Sequence, residues 1–305
     1  MFSGLSTRSK VLLKMTAGVV VPSIPVLVWW KSAVDDRDKR AEEVRTKVRV
    51  PNVQTVDDLL VEKCKPGDVI LFDRRCEKCA AGPVAALSCL LSRQFLCRED
   101  PMQTRAVETG IFDHCGIVVP GKARNTKEAL DPSNLLFLEA TASDGVVARP
   151  LLTRLEMSQS RSVILLPLAS AGERRNDDDY EPSEKIVRAN DYMKKQLIEF
   201  RDRWVAESKK QDYASGHSTL GIIGALAYAT GLHVTSPAPT SPSAWLVLSA
   251  LQNAGVGENL SDRTALETRV EDFLRDHRFN EKDTVRLRPG WKFLPAVMMR
   301  EMSRS

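Results

Sequence analysis

His114 opens the apolar run HCGIVVP, Glu139 lies inside the apolar run LLFLEAT, and Ser243 stands near the head of PSAWLVLSALQNA. An unpaired carboxylate inside an apolar strand is costly, so Glu139 requires a partner, and His114 is the natural candidate. A histidine held by a carboxylate is an arrangement that general-base chemistry uses. It is equally the ordinary way to satisfy a core histidine. Ser243 follows Ser241, which reads as a helix N-cap, and Pro242, which reads as the first helical residue. Serine is common at a helix start for capping alone. Cys76-Glu77-Lys78-Cys79 is a C-x-x-C. Zinc would need two more ligands nearby, and the spacing of Cys89 and Cys97 is unusual for that. A redox pair would suit a thioredoxin-like helix start, a fold this chain does not suggest. Free thiols or one disulfide fit better, and neither metal nor cofactor is expected. His217 reads as a surface or capping residue, and Asp177, Asp178 and Asp179 as a solvated turn.

The elements that must position these groups can be read from the pattern. The chain has 305 residues, 43% hydrophobic and 28% charged, with a formal net charge of +4. It can bury a substantial core. No compact Lys/Arg cluster interleaves with aromatics, so nucleic acid is not expected as a partner. Lys65-Pro66-Gly67-Asp68 reads as a turn before a buried strand at 69–72. Further strands are expected at 114–120, 135–141, 146–152 and 162–168, with a last short one in VRLRPGWKFLP. Residues 80–96 suggest a core helix. After the polar linker 173–182, Met193, Leu197, Phe200 and Trp204 recur on one face of a helix running from Ser183 to about Lys209. Helices are also expected at 218–230, 242–254 and about 261–276. Strands first and helices after is an α+β order. A doubly wound nucleotide fold would need strand–helix alternation and a Gly-rich turn, and neither is present.

The N-terminus is basic and free of acid up to Val34. Arg8, Lys10 and Lys14 lead into the apolar run from Met15 to Trp30, and Trp29, Trp30 and Lys31 form an interfacial boundary. Including Val11 to Leu13, with Lys14 snorkelling, brings the run to roughly the 20 residues a membrane span needs. Residues 1–31 are therefore expected to be a targeting or transmembrane segment, with membrane contact through 11–31. Residues 32–52 read as a charged juxtamembrane helix or stalk, and 53–300 as the folded domain. An acid-free, Ser-containing start also suits mitochondrial targeting. The expected location is the mitochondrial inner membrane, with an endoplasmic-reticulum signal anchor as the alternative.

Gly67-Asp68-Val69-Ile70-Leu71-Phe72 with His114-Cys115-Gly116-Ile117-Val118-Val119 resembles the strand pair of NlpC-type papain-like hydrolases. Leu138-Glu139-Ala140, Gly145-Val146-Val147 and Pro150-Leu151 resemble the next segments of the circularly permuted branch, which includes lecithin retinol acyltransferase relatives and bacterial lipid- or peptide-amidases. The resemblance covers about residues 60–260. It implies a papain-like antiparallel sheet packed with helices. There the nucleophilic cysteine begins a C-terminal helix within a C-S-x-L-V-like segment, and Ser243-Ala244-Trp245-Leu246-Val247 occupies that place here. By resemblance His114 would be the base, Glu139 the group orienting it, and Ser243 the nucleophile position.

The substitution matters. A helix N-terminus stabilises a thiolate and offers backbone N–H groups for an oxyanion hole. A serine hydroxyl does not ionise that way and needs concerted general-base help. No cysteine follows Cys115, and on a strand Cys115 points away from the face of His114. Two readings stand. One is a membrane-anchored, catalytically degenerate domain with a structural or interaction role, an accessory subunit among protein partners in a mitochondrial membrane complex. The other is a serine-substituted amidase or acyl-transfer hydrolase acting on lipid or peptide amides. They part on whether Ser243 and His114 meet in an open cleft.

Overall fold

The computed structural model describes residues 7–46, 56–74, 83, 86, 112–121, 134–141, 145–170, 172–173, 181–208, 239, 241–259, 265–266, 268–274 and 285–301, with only the backbone for 7–23, 45, 56, 57, 300 and 301. Cys76, Cys79, Cys89, Cys97, Asp177 to Asp179, His217 and the expected helix 218–230 lie outside the described residues, as does nearly all of the expected helix 80–96.

The fold is α+β. Its centre is a six-stranded antiparallel sheet ordered β4-β3-β2-β1-β5-β8. The strands are β1 (Val69–Asp73), β2 (His114–Pro120), β3 (Leu135–Thr141), β4 (Gly145–Pro150), β5 (Ser162–Leu166) and β8 (Val297–Glu301). A second, two-stranded sheet pairs β6 (Leu168–Ser170) with β7 (Trp291–Phe293). The helices are α1 (Thr7–Thr46), α2 (Val56–Lys63), α3 (Leu151–Met157), α4 (Glu184–Ser208) and α5 (Pro242–Asn253). Helices α4 and α5 pack on one face of the sheet, and α3, backed by α1 and α2, on the other.

Near-continuous apolar strands are what a sheet covered on both faces requires, and alternate residues feed two cores. Leu71, Cys115, Ile117 and Leu138 pack with Leu197, Phe200, Leu246 and Val247 from α4 and α5. Ile70, Phe72, Val118 and Phe137 pack with Leu151 and Leu155 of α3.

Several sequence expectations shift at their ends. The strand anticipated at 146–152 stops at Pro150, and Leu151 begins α3 instead. The run 162–168 is divided at Pro167 between two sheets, because proline has no N–H to continue the ladder. Of the helix expected over 261–276, the described residues show α-helical Ala265 and Leu266 and a separate 3-10 turn at Glu271–Leu274. The membrane segment and the stalk, expected as separate pieces, form one continuous helix, α1, of 40 residues. Among the described residues no helix is long and apolar enough to cross a membrane, and most of the 11–31 run falls where only backbone is described.

Two motif positions have structural work. Asp68 is buried beside Gly67, whose φ of 95° suits glycine. Its carboxylate accepts from the Lys65 and Leu168 N–H groups at 2.8 and 2.9 Å, joining the turn to β6. Gly116 makes room for its neighbour on β3: a Cβ there would stand 2.3 Å from Phe137 Cζ and 2.6 Å from the Leu138 carbonyl oxygen. Gly116→Ala is therefore expected to lower unfolding stability by about 1–3 kcal/mol through overpacking, read as a reduced urea midpoint at unchanged slope.

Candidate functional site

Glu139 sits on β3, flanked by β2 and β4, and is fully buried. Its parity within the strand matches Phe137, so it faces α3. His114, at the start of β2, faces the same way: it pairs in register with Phe72, and the two rings lie 6.0 Å apart. His114 Nε2 and Glu139 Oε2 are 2.8 Å apart. Two arginines complete the cluster. Arg154, from α3, grips the carboxylate with both prongs, Nε to Oε1 at 2.7 Å and Nη2 to Oε2 at 3.0 Å. Arg149, from β4, donates Nη1 to Oε1 at 3.0 Å. The Arg154 guanidinium also lies over the Phe72 ring, 4.5 Å from its centroid, a favourable cation–π placement.

Protonation is set by this geometry. Burial alone would raise the Glu139 pKa, but Arg154 and the His114 hydrogen bond outweigh it and hold the carboxyl well below the usual range. His114 is lowered to about 4, chiefly by burial and then by the charge of Arg74, with the Glu139 hydrogen bond opposing. At neutral pH the pair is thus a carboxylate and a neutral imidazole whose Nε2–H donates. Such an imidazole is a weak base, and Glu139 is shared between it and two guanidinium groups.

Ser243 lies elsewhere. Ser241 caps α5, its Oγ accepting from the Ala244 N–H at 3.4 Å, with Pro242 in the first helical turn. Ser243 comes next in that turn and is buried. Its neighbour across the interface is Cys115, whose Sγ–H is 3.9 Å from Ser243 Oγ. Ser241 Oγ lies 3.4 Å on the other side. The thiol donates to Ser243, and either serine hydroxyl can donate to the other. Burial pushes the Cys115 thiol up to about 12, although its contact with Ser243 lowers it somewhat, so it is a neutral thiol rather than a nucleophilic thiolate.

The three residues singled out in sequence therefore divide. His114 and Glu139 come together, as the cost of a buried carboxylate demands. Ser243 meets Cys115 on the α4/α5 face, and the sheet stands between it and His114. No hydrogen bond joins Ser243 to His114 or Glu139 among the described residues. Sequence reasoning missed Arg149 and Arg154. The signal was present for the first: in the β3–β4 hairpin Glu139 pairs with Val147, which puts Arg149 two residues along on the same face. Arg154 depends on the chain reversal at Pro150, which a strand continuing to residue 152 would lack. Among the described residues no three His, Cys, Asp or Glu side chains gather into a metal-binding group.

No protein-family model, curated protein or solved structure matches this chain.

Glu139→Gln leaves two arginines facing an uncharged amide and is expected to cost about 3–5 kcal/mol, the usual penalty for breaking a buried ion pair, measured by chemical denaturation at pH 7. A second expectation concerns acid. With His114 lowered to about 4 from 6.5, the unfolded chain takes up the proton first, so stability is full above pH 6.5 and falls as pH drops towards 4. The loss approaches about 3 kcal/mol. Urea midpoints in steps from pH 7.5 to 4 should show it, and His114→Gln should flatten that part of the curve.

Proposed function

We propose that this protein is a membrane-tethered, catalytically silent domain of the permuted NlpC, papain-like type, acting as a structural or interaction subunit within a membrane assembly. One observation carries the reading. The serine at the family's nucleophile position and the histidine that would activate it face opposite sides of the central sheet. Each is engaged by a different partner, Ser243 by Cys115 and His114 by Glu139.

The antiparallel sheet, the helix packed across it and the capped start of α5 support the architectural part. A serine hydrolase needs the hydroxyl within hydrogen-bond reach of a proton-accepting imidazole nitrogen. Here the imidazole is neutral and strongly resists protonation, and the hydroxyl is buried in a capping network. The competing reading, a serine-dependent amidase or acyl-transfer enzyme, has no such contact to draw on.

The tether rests on the apolar run 11–31 and on its continuation into the charged half of α1. An acid-free N-terminus supports delivery to the mitochondrial inner membrane. Protein partners in the same membrane complete the proposal, and nucleic acid has no place in it.

The direct test is a fluorophosphonate probe on the full chain in detergent, with a known serine hydrolase in the same tube as control. The expected outcome is a labelled control and an unlabelled Ser243. Labelling of Ser243 that disappears in His114→Ala would overturn the silent reading.

A further inference from the structure

Helix α1 is two-faced just where the apolar run ends. Ile24, Leu27 and Val28 are 50%, 47% and 64% exposed. On the other side Val26, Trp30, Ala33, Ala41 and Val44 form a wholly or partly buried stripe at helical spacing. Ala33 is only 6% exposed. Helix α1 packs on α3 here, and the Asp36 carbonyl oxygen accepts from Gln159 Nε2, just beyond α3, at 3.5 Å. The Trp30 indole N–H is buried and has no hydrogen-bond partner. A tryptophan serving a membrane boundary turns that N–H towards headgroups and water, so Trp30 faces protein. The tether is held to the domain at Ala33 and Asp36, against α3 and Gln159, and is not free of it there.

Length then fixes the height of the domain. The run Val11–Val28 rises about 27 Å as helix, slightly less than the roughly 30 Å hydrocarbon core. The five-residue step from Val28 to Ala33 adds about 7.5 Å, about the depth of the headgroup layer of one leaflet, roughly 5–7.5 Å. No length remains to hold the clamp point away from the membrane.

We propose that the domain is seated directly on the bilayer, its α3 side against the lipid headgroups and the Ile24, Leu27 and Val28 ridge of α1 in the acyl region. The occupant of the ridge is lipid because the ridge continues the apolar run, while α1 becomes charged from Asp35 onward and forms exposed local ion pairs at Lys31–Asp35 and Arg40–Glu43. The inference rests on the membrane-tether reading above and adds a depth and an orientation to it.

The experiment uses the full chain reconstituted in phosphatidylcholine vesicles doped with a lipid carrying a photoactivatable diazirine, placed in the acyl chain in one preparation and in the headgroup in another. Labelled residues are mapped by mass spectrometry, and flotation is scored in parallel. The expected result is acyl labelling at 24–28 and headgroup labelling within 151–161. Ala33→Arg, which forces a charge into the clamp, should lower the 151–161 labelling at least threefold while flotation persists and the domain still unfolds in one cooperative thermal transition. Acyl labelling at 24–28 without headgroup labelling at 151–161 overturns the seating and leaves the tether standing. Flotation without acyl labelling at 24–28 overturns the lipid assignment of the ridge, in favour of a second copy or a partner helix. Failure to float at all overturns the tether itself, and the seating with it.

Discussion

A carboxylate sealed from water on an interior strand of a sheet sets terms for everything around it. Glu139 can stay ionised only if opposite charge and hydrogen-bond donors reach it from several directions. The fold supplies them from three separate elements: His114 from β2, Arg149 from β4 and Arg154 from α3. This demand explains local features that otherwise look unrelated. The chain turns at Pro150 into a short helix that lays Arg154 across Phe72, so the same guanidinium neutralises the carboxylate and caps an aromatic face. The histidine stays uncharged chiefly because it too is buried, with the nearby charge of Arg74 adding to the effect.

Strand alternation does the rest of the sorting. His114 and Cys115 are adjacent in sequence but belong to different compartments, one wedged among Phe72, Glu139 and Arg154, the other beneath the start of α5. Each group is satisfied within its own layer. The polar network on the α3 side is ionic and pinned by a bidentate arginine. The one on the α5 side is a weak sulfur-to-hydroxyl chain ending in a helix cap. Nothing in either network calls for the other, and each closes the sheet against its own helical layer.

Much of the scaffold was legible because its signals are local. The apolar runs of β1, β2 and β3, the single apolar face of α4 and the Ser241-Pro242 start of α5 all depend on nearest neighbours in sequence, and these elements lie where the pattern put them. Of the candidate site, the Glu139 pairing was legible from cost alone, since a carboxylate among Leu138 and Ala140 must find a cation or a donor. What the residues did not disclose were properties of assembly. The sheet face seen by the head of α5 depends on which of the two cores the helix joins, and it joins the one that holds α4. The hand-off at Pro167, the turn into α3 and the continuity of α1 across the expected boundary at residue 31 likewise depend on packing partners distant in sequence.

Gly116 gives the histidine motif a second meaning. Phe137 occupies the space a side chain would need there, and the neighbouring carbonyl closes what remains, so glycine is required for the two strands to lie together whether or not His114 ever moves a proton. The glycine two positions after a histidine can thus be fixed by strand packing alone, whatever the histidine does. A signature tuned to that spelling reports the shape of a strand pair, and the reaction has to be sought in which side of the sheet each partner occupies.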